Sequence, residues 1–238
     1  MKRLKNIWLV PGLLLVAFVA LAAWDVPPAP CGVVIGSGGG GEEPGFSCGT
    51  ADICWDATSG LTLTAYTDSD TVTLVNSPTR DSNGLLISSS DEYATIDYTP
   101  SSVSSWTIEM VFQSTTTSPD SFAAFVCGPD IEDFTIRKNS ANGIQHDLPN
   151  EGAGTITGAA STDYWDEEEH TIRFVMDNSA NTVTVYLDGE QDGQDTGVTF
   201  GAWTDADGFL VLGNREDEGW EIGGYIKSFK LWESAVTP

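Results

Sequence analysis

Along residues 170–189 apolar and polar side chains alternate. Ile172, Phe174 and Met176 fall on one side of an extended chain while Thr171 and Arg173 fall on the other; after the polar stretch 177–181, Val183, Val185 and Leu187 alternate with Thr182, Thr184 and Tyr186. A period of two is the mark of a β-strand buried on one face, so two strands joined by a turn-rich loop are predicted. Asp188-Gly189 supplies the next turn, since Asp and Gly accept a positive φ that β-branched residues resist.

The same patterning recurs through the rest of the chain. Strands are predicted over 61–65, 71–75, 84–88, 93–98, 106–113, 122–127, 134–138, 143–146, 155–158, 209–212 and 224–232. On the clearest of these, Trp106, Ile108, Met110 and Phe112 share the buried side. Turn signals such as Asp81-Ser82-Asn83-Gly84, Lys138-Asn139-Ser140, Asn150-Glu151-Gly152 and Ala206-Asp207-Gly208 separate them. Many short strands with turn punctuation and hardly any helical period imply an all-β fold, a two-sheet antiparallel jelly-roll sandwich. In the last strand Gly224 and Ile226 set one phase and Phe229 and Leu231 sit one residue out of step, which predicts a bulge at Lys227-Ser228.

The first residues follow different rules. Lys2, Arg3 and Lys5 precede an apolar run, 7–23, that ends in small residues, the layout of a secretory signal or, uncleaved, of a membrane anchor. Residues 1–23 are expected to play that part, and in either case the remainder lies outside the cytoplasm because the positive charges stay inside. Residues 24–47 hold Pro27, Pro28 and Pro30 and the glycine run 38–41, a Pro/Gly tether. The run is no phosphate loop, for neither Lys-Ser/Thr nor a helical pattern follows it. One domain is then expected over 48–238.

Charge narrows the partners. The 238 residues carry 10 Lys+Arg and 35 Asp+Glu, a formal net charge of −25, with three of the basic residues inside the leader. Such a surface repels a phosphate backbone, so no nucleic-acid partner is expected. The four cysteines, Cys31, Cys48, Cys54 and Cys127, point to disulfides in an exported chain. Three pairings are open: Cys48 with Cys54 would close a small loop, whereas a bridge to Cys127 would staple the tether to the sandwich.

Taken in order, several pieces resemble a known family: the strand-turn-strand of 85–96, Trp106-Thr107-Ile108-Glu109, Trp165 followed by His170-Thr171-Ile172, Val185-Tyr186-Leu187-Asp188-Gly189, Leu210-Val211-Leu212-Gly213 and the closing Gly224-Tyr225-Ile226-Lys227-Ser228-Phe229-Lys230-Leu231-Trp232. This succession resembles the concanavalin A-like jelly roll of laminin-G-like and pentraxin-like domains, over about residues 55–238. The resemblance implies two curved antiparallel sheets with first and last strands paired, and binding or adhesion as the usual work, often with calcium at the rim. One departure is that Trp165 and His170 are separated by Asp166-Glu167-Glu168-Glu169, where the family commonly has tryptophan directly before the histidine.

The same fold carries glycoside hydrolases of the laminarinase type, which need two carboxylates on one strand face about 5 Å apart. None of the acidic clusters has that spacing. Residues 166–169 are consecutive, Glu216-Asp217-Glu218 lies between glycines, and Glu109 stands alone on its strand, so catalysis is not expected. His170 and His146 have structural readings, and no G-x-S-x-G occurs. Calcium is the candidate cofactor, with Asp205, Asp207, Glu216, Asp217 and Glu218 as ligands and Asp68 and Asp70 as a further cluster. For a sugar, which stacks on aromatic faces, the candidates are Trp203, Trp220, Tyr164 and Trp165.

These residues describe an exported, non-catalytic module that binds a glycan or protein at a cell or particle surface, touching membrane only through its N-terminal segment. Two alternatives remain open: a structural subunit of an extracellular filament or virion exterior, built by homo-oligomerisation, and the glycoside hydrolase.

Overall fold

A computed structural model describes residues 47–61, 63–64, 72–98, 104–119, 122–128, 134–148, 152–201, 209–214 and 219–238. The leader and most of the tether lie outside these residues, and so do Cys31, Trp203, Asp68, Asp70 and all five calcium candidates. The described residues form one compact unit.

In chain order the strands are β1 (Ile53–Asp56), β2 (Leu63–Thr64), β3 (Val72–Val75), β4 (Thr79–Asp81), β5 (Gly84–Ile87), β6 (Tyr93–Asp97), β7 (Ser105–Ser114), β8 (Ala123–Cys127), β9 (Thr135–Lys138), β10 (Gly143–Leu148), β11 (Gly152–Ala160), β12 (Glu169–Asp177), β13 (Thr182–Leu187), β14 (Glu190–Thr196), β15 (Phe209–Leu212) and β16 (Gly224–Trp232). A single 3-10 turn, Ser161–Asp163, interrupts them among the described residues. One sheet runs β2-β1-β16-β7-β12-β13-β14, and the other runs β10-β9-β8-β15-β6-β3. β11 pairs with both β14 and β10 and so carries one sheet into the other. All pairings are antiparallel, as predicted.

The two layers close on a single apolar cluster. Phe125 of β8 lies 5.8 Å from Phe112 of β7 and 5.5 Å from Phe174 of β12, ring centre to ring centre, and Trp106 of β7 meets Phe134 from the opposite layer at 6.2 Å. Ile172, Phe174, Met176, Val183 and Val185 are all buried in it. Full burial of side chains of this size is worth roughly 1.5–3 kcal/mol each before entropy, which is why the alternation could be read so directly.

First and last strands pair, Ile53 opposite Leu231 and Trp55 opposite Phe229. The bulge falls where the phase change placed it: the register of β16 against β7 slips between Ile226 and Ser228. On the other edge of β16 its partner changes at the same point, from β5 against 224–226 to β1 against 228–231. The extra residue lets one long strand serve two short ones. Asp188 and Gly189 have φ of 51° and 87°, the paired positive values of the predicted hairpin turn.

Three strands escape the hydrophobic pattern. β14 reads Glu-Gln-Asp-Gly-Gln-Asp-Thr and has no apolar side chain to alternate; the turn at Asp188-Gly189 and the ladder to β13 make it a strand. β4 is likewise imposed by the turn at Gly84, whose φ is +116° and where a Cβ would strike the Ile226 carbonyl. β1 shows no alternation, because Ile53, Cys54 and Trp55 are all buried.

The cysteine question closes on one pairing, Cys48 with Cys54. Neither therefore bridges to Cys127, which is buried with its thiol 3.5 Å from the Asn214 carbonyl. The small loop packs Ala51, Cys54 and Trp232 together over the outer side of β1 and β16.

Candidate functional site at the rim of the second sheet

Val211 lies between the core residues Leu210 and Leu212, so its side chain points out of the second sheet. There it joins Ala124 and Cys127 in a separate small apolar cluster, against which Tyr93 and Trp220 are packed. Trp220 is half-buried. Its indole stacks on Phe122, centroids 5.2 Å apart and planes 29° from parallel, and the Arg137 guanidinium sits 4.5 Å from the indole centre and 5.4 Å from the phenyl. Arg137 itself is only 8 % exposed. A cation held over two rings stiffens the platform and adds electrostatic attraction.

The segment that presents Trp220 is anchored through its backbone. Ala124 N–H donates to the Trp220 carbonyl at 2.9 Å, Ile222 N–H to Gly213 at 2.7 Å, and Thr115 N–H to the Gly223 carbonyl at 2.9 Å. The buried Trp165 indole donates to the Ile222 carbonyl at 2.7 Å. Beside it Ser88, Thr115, Thr116, Ser118, Pro119, Glu221 and Gly223 line a cleft of about 250 Å³. The rim thus joins an aromatic face, a cation, several hydroxyls and a carboxylate on one short stretch, the elements that hold a polyhydroxylated ring.

Of the aromatic candidates, Trp220 stands at this rim. Tyr164 and Trp165 do not: they are 0 % and 2 % exposed, with rings in the central core. The correction has a physical cause, since the chain between the 3-10 turn and β12 folds inward to cover Phe125, 5.0 Å from Trp165. The Tyr164 hydroxyl is satisfied by Asp192 at 2.5 Å, and burial followed by that bond pushes its pKa far up. Trp165 acts on the site indirectly, by holding Ile222. Phe122 and Arg137 went unnoticed in the sequence because each sits in an ordinary strand context; the only signal was that Arg137 is one of few cations. Among the described residues no grouping of three or more His, Cys, Asp or Glu side chains is disposed to hold a metal ion.

Both histidines have carboxylate partners. His146, 1 % exposed, meets Asp195 at 2.9 Å through Nε2, and its Nδ1 has no hydrogen-bond partner among the described residues. Gly154 makes this possible, because a Cβ there would overlap the imidazole and come within 2.7 Å of Asp195. His170 lies between Asp188, 2.8 Å from Nδ1, and Asp166, 3.1 Å from Nε2. Burial pulls its pKa down, but the bonds to Asp188 and Asp166 and their charges outweigh it and raise it above the usual 6.5. The four residues inserted before His170 therefore have a structural use: Asp166 turns back onto the ring, and Glu167 N–H donates to Ser114 Oγ at 2.7 Å.

A family model described as the concanavalin A-like lectin/glucanases superfamily, of laminin-G type, matches residues 88–238. None of the curated proteins matches the chain. Among solved structures, domain 4 of AbnA, a GH43 extracellular arabinanase from Geobacillus stearothermophilus in complex with arabinotriose, is 13 % identical, with a TM-score of 0.55 over 79 % of this chain and 94 % of that one. A crystal structure titled HCR/D-Sa-GBL1/C is 9 % identical with a TM-score of 0.58, covering 77 % of this chain and 48 % of that one, so the chain spans about half its length. The CBM40 of Ruminococcus gnavus IT-sialidase, bound to α2,6 sialyllactose, is 16 % identical with a TM-score of 0.43 over 57 % of this chain and 80 % of that one. At these identities the likeness is one of fold.

Proposed function

The chain belongs to the concanavalin A-like lectin/glucanases superfamily, and from that premise we propose that it is a non-catalytic glycan-binding module working outside the cytoplasm. The observation that carries the reading is the half-buried Trp220 indole, stacked on Phe122 and backed by Arg137, beside a hydroxyl-lined cleft. An indole left partly open to water at the rim of a fold with an otherwise well-filled core offers a flat apolar face to the C–H side of a sugar. The Cys48–Cys54 disulfide supports the extracytoplasmic location, since such bonds persist in oxidising compartments. That the arabinanase domain sharing the fold holds arabinotriose makes neutral oligosaccharides the first ligands to try.

The test is titration of the purified chain with neutral oligosaccharides, beginning with arabinotriose and extended on a glycan array, for the parent and for Trp220→Ala. The variant is expected to lose about tenfold or more in affinity, as truncation of an aromatic anchor does, while its circular dichroism stays unchanged. Equal binding by the folded variant would remove Trp220 and this rim from the account. Repeating the titration in chelator tests calcium: a fall in affinity supports a role for it, with Asp205, Asp207, Glu216, Asp217 and Glu218 as the ligands to substitute next, and unchanged affinity removes it.

A further inference from the structure

The cleft beside Trp220 has three walls, and two of them hold each other. Thr115 bonds the Gly223 carbonyl through both its N–H, at 2.9 Å, and its hydroxyl, at 3.1 Å, which ties the stretch 115–119 to the rim segment. The third wall is Ser88, the first residue of the loop 88–92 that carries the chain from β5, on the first sheet, to β6, on the second. The ladder guides this wall only as far as Ile87, opposite Gly224. Beyond that residue the loop needs other support.

Asn214 supplies it. This residue is fully buried just past the end of β15, and its side-chain nitrogen donates to the Ser90 carbonyl at 2.9 Å and to the Glu92 carbonyl at 3.0 Å. Two acceptors facing one planar group call for two N–H donors, which an amide has and which neither a carboxylate nor a single hydroxyl can offer. Glu92 in turn accepts from the Ser88 N–H at 2.9 Å, and Asn76 bonds the Asp91 carbonyl at 2.7 Å from the exposed side. Every carbonyl from 90 to 92 is thereby held. The preceding residue fixes the rest of the rim to the same point: Gly213 accepts from the Ile222 N–H at 2.7 Å and donates to the Phe125 carbonyl at 3.0 Å. A Cβ on Gly219 would come within 3.2 Å of the Ser90 Cβ, so the loop also lies directly against the start of the Trp220 segment.

Gly213-Asn214 is therefore the common reference for the aromatic platform, through the backbone of one residue, and for the Ser88 wall, through the side chain of the other. We propose that Asn214 is a positioning residue of the glycan site, which sets the place of Ser88 relative to Trp220 and with it the sugars that the cleft accepts; this rests on the reading of the rim given above. At 0 % exposure Asn214 is out of reach of a ligand and acts only through the loop. It keeps the loop in the conformation competent to bind, so that the sugar does not have to order it. Without it the competent fraction falls, and the apparent affinity falls by the same factor. Linkage then requires the converse: a ligand that needs the ordered loop must restore order to it.

The experiment compares the parent chain with Asn214→Ala, Asn214→Asp and Glu92→Ala, each with and without saturating arabinotriose, or the tightest neutral oligosaccharide of the array if that is another. Affinity is measured by titration, and order by amide hydrogen exchange of the peptide spanning 88–92. Both Asn214 variants are expected to bind about tenfold more weakly, as follows from leaving buried carbonyls unpaired, and to exchange faster over 88–92 while the core strands keep their protection. Saturating ligand should bring that exchange back toward the parent's rate. Glu92→Ala, at a half-buried position, cuts the loop's tie to Ser88 without emptying a fully buried site. It should shift both readings several-fold in the same direction, and it decides the outcome should the Asn214 variants fail to fold. Unchanged affinity in folded variants, unchanged exchange over 88–92, or faster exchange that ligand leaves untouched would each overturn the proposal while the Trp220 reading stands. If the parent itself binds no oligosaccharide, that reading falls and this one with it.

Discussion

His170 shows how much one side chain can tie together. It links the inserted turn 166–169 to the hairpin turn at Asp188, and its raised pKa makes that link depend on pH. A folded-state pKa above the unfolded value means that the contribution is complete below pH 6.5 and is lost as pH rises through the raised value. Asp166 is shifted the other way: burial would raise it, but the Glu168 N–H and His170 outweigh this and hold it below 3.8. Asp177, held down by the Ser179 hydroxyl against opposing burial and helped by the Ala180 and Ser179 N–H groups, behaves likewise. Their contributions are present above 3.8 and vanish as pH falls through the lowered values. Both kinds are in force between pH 3.8 and 6.5. Denaturant unfolding of the parent and of His170→Asn should accordingly differ more at about pH 5.5 than at about pH 8.5. An equal difference at both would mean that His170 acts by packing alone.

Among the elements, the rim segment 219–223 depends on neighbours distant in sequence. Its carbonyls are held by donors from β8, from the end of β7 and from Trp165, the last 57 residues away. Removing the indole N–H while keeping a ring leaves the buried Ile222 carbonyl without that donor. Trp165→Phe should cost about 1–3 kcal/mol of stability and, because Ile222 is two residues from Trp220, weaken glycan binding in the folded fraction as well. Thermal melting and titration together check this; reduced stability with unchanged affinity would uncouple Trp165 from the rim. The same dependence explains what could be read in advance. The strands of the 170–189 hairpin, β7 and the β16 bulge were legible because each announces its buried face by a local period. β14 was not, since its strand character comes from its partner and its own side chains are all polar or glycine.

For the molecule as a whole the dominant long-range force is self-repulsion, 35 acidic residues against 10 basic. Salt screens charges at the surface over about 10 Å at 0.1 M and leaves buried pairs such as Glu109 with Arg173 largely untouched. The melting temperature at neutral pH is expected to rise by a few degrees between about 10 mM and about 500 mM NaCl. A fall would show that surface ion pairs, Lys227 with Glu169 among them, outweigh the repulsion.

Fold class, the bulge and the hairpin turn follow from the order of residues alone, because alternation and turn chemistry are local properties. Which aromatics are open to water, which cysteines pair and which charges meet were decided only when the sheets closed. Tyr164 and Trp165 look in sequence like exposed rings before a strand, and only the covering of Phe125 buries them. Glu109 stands alone on its strand, yet Arg173 lies 64 residues away and Lys230 121 residues away, and both arrive at its carboxylate through the register of three strands. Register is a property of pairs of strands, and a pairing so distant along the chain leaves no trace in either partner's own pattern.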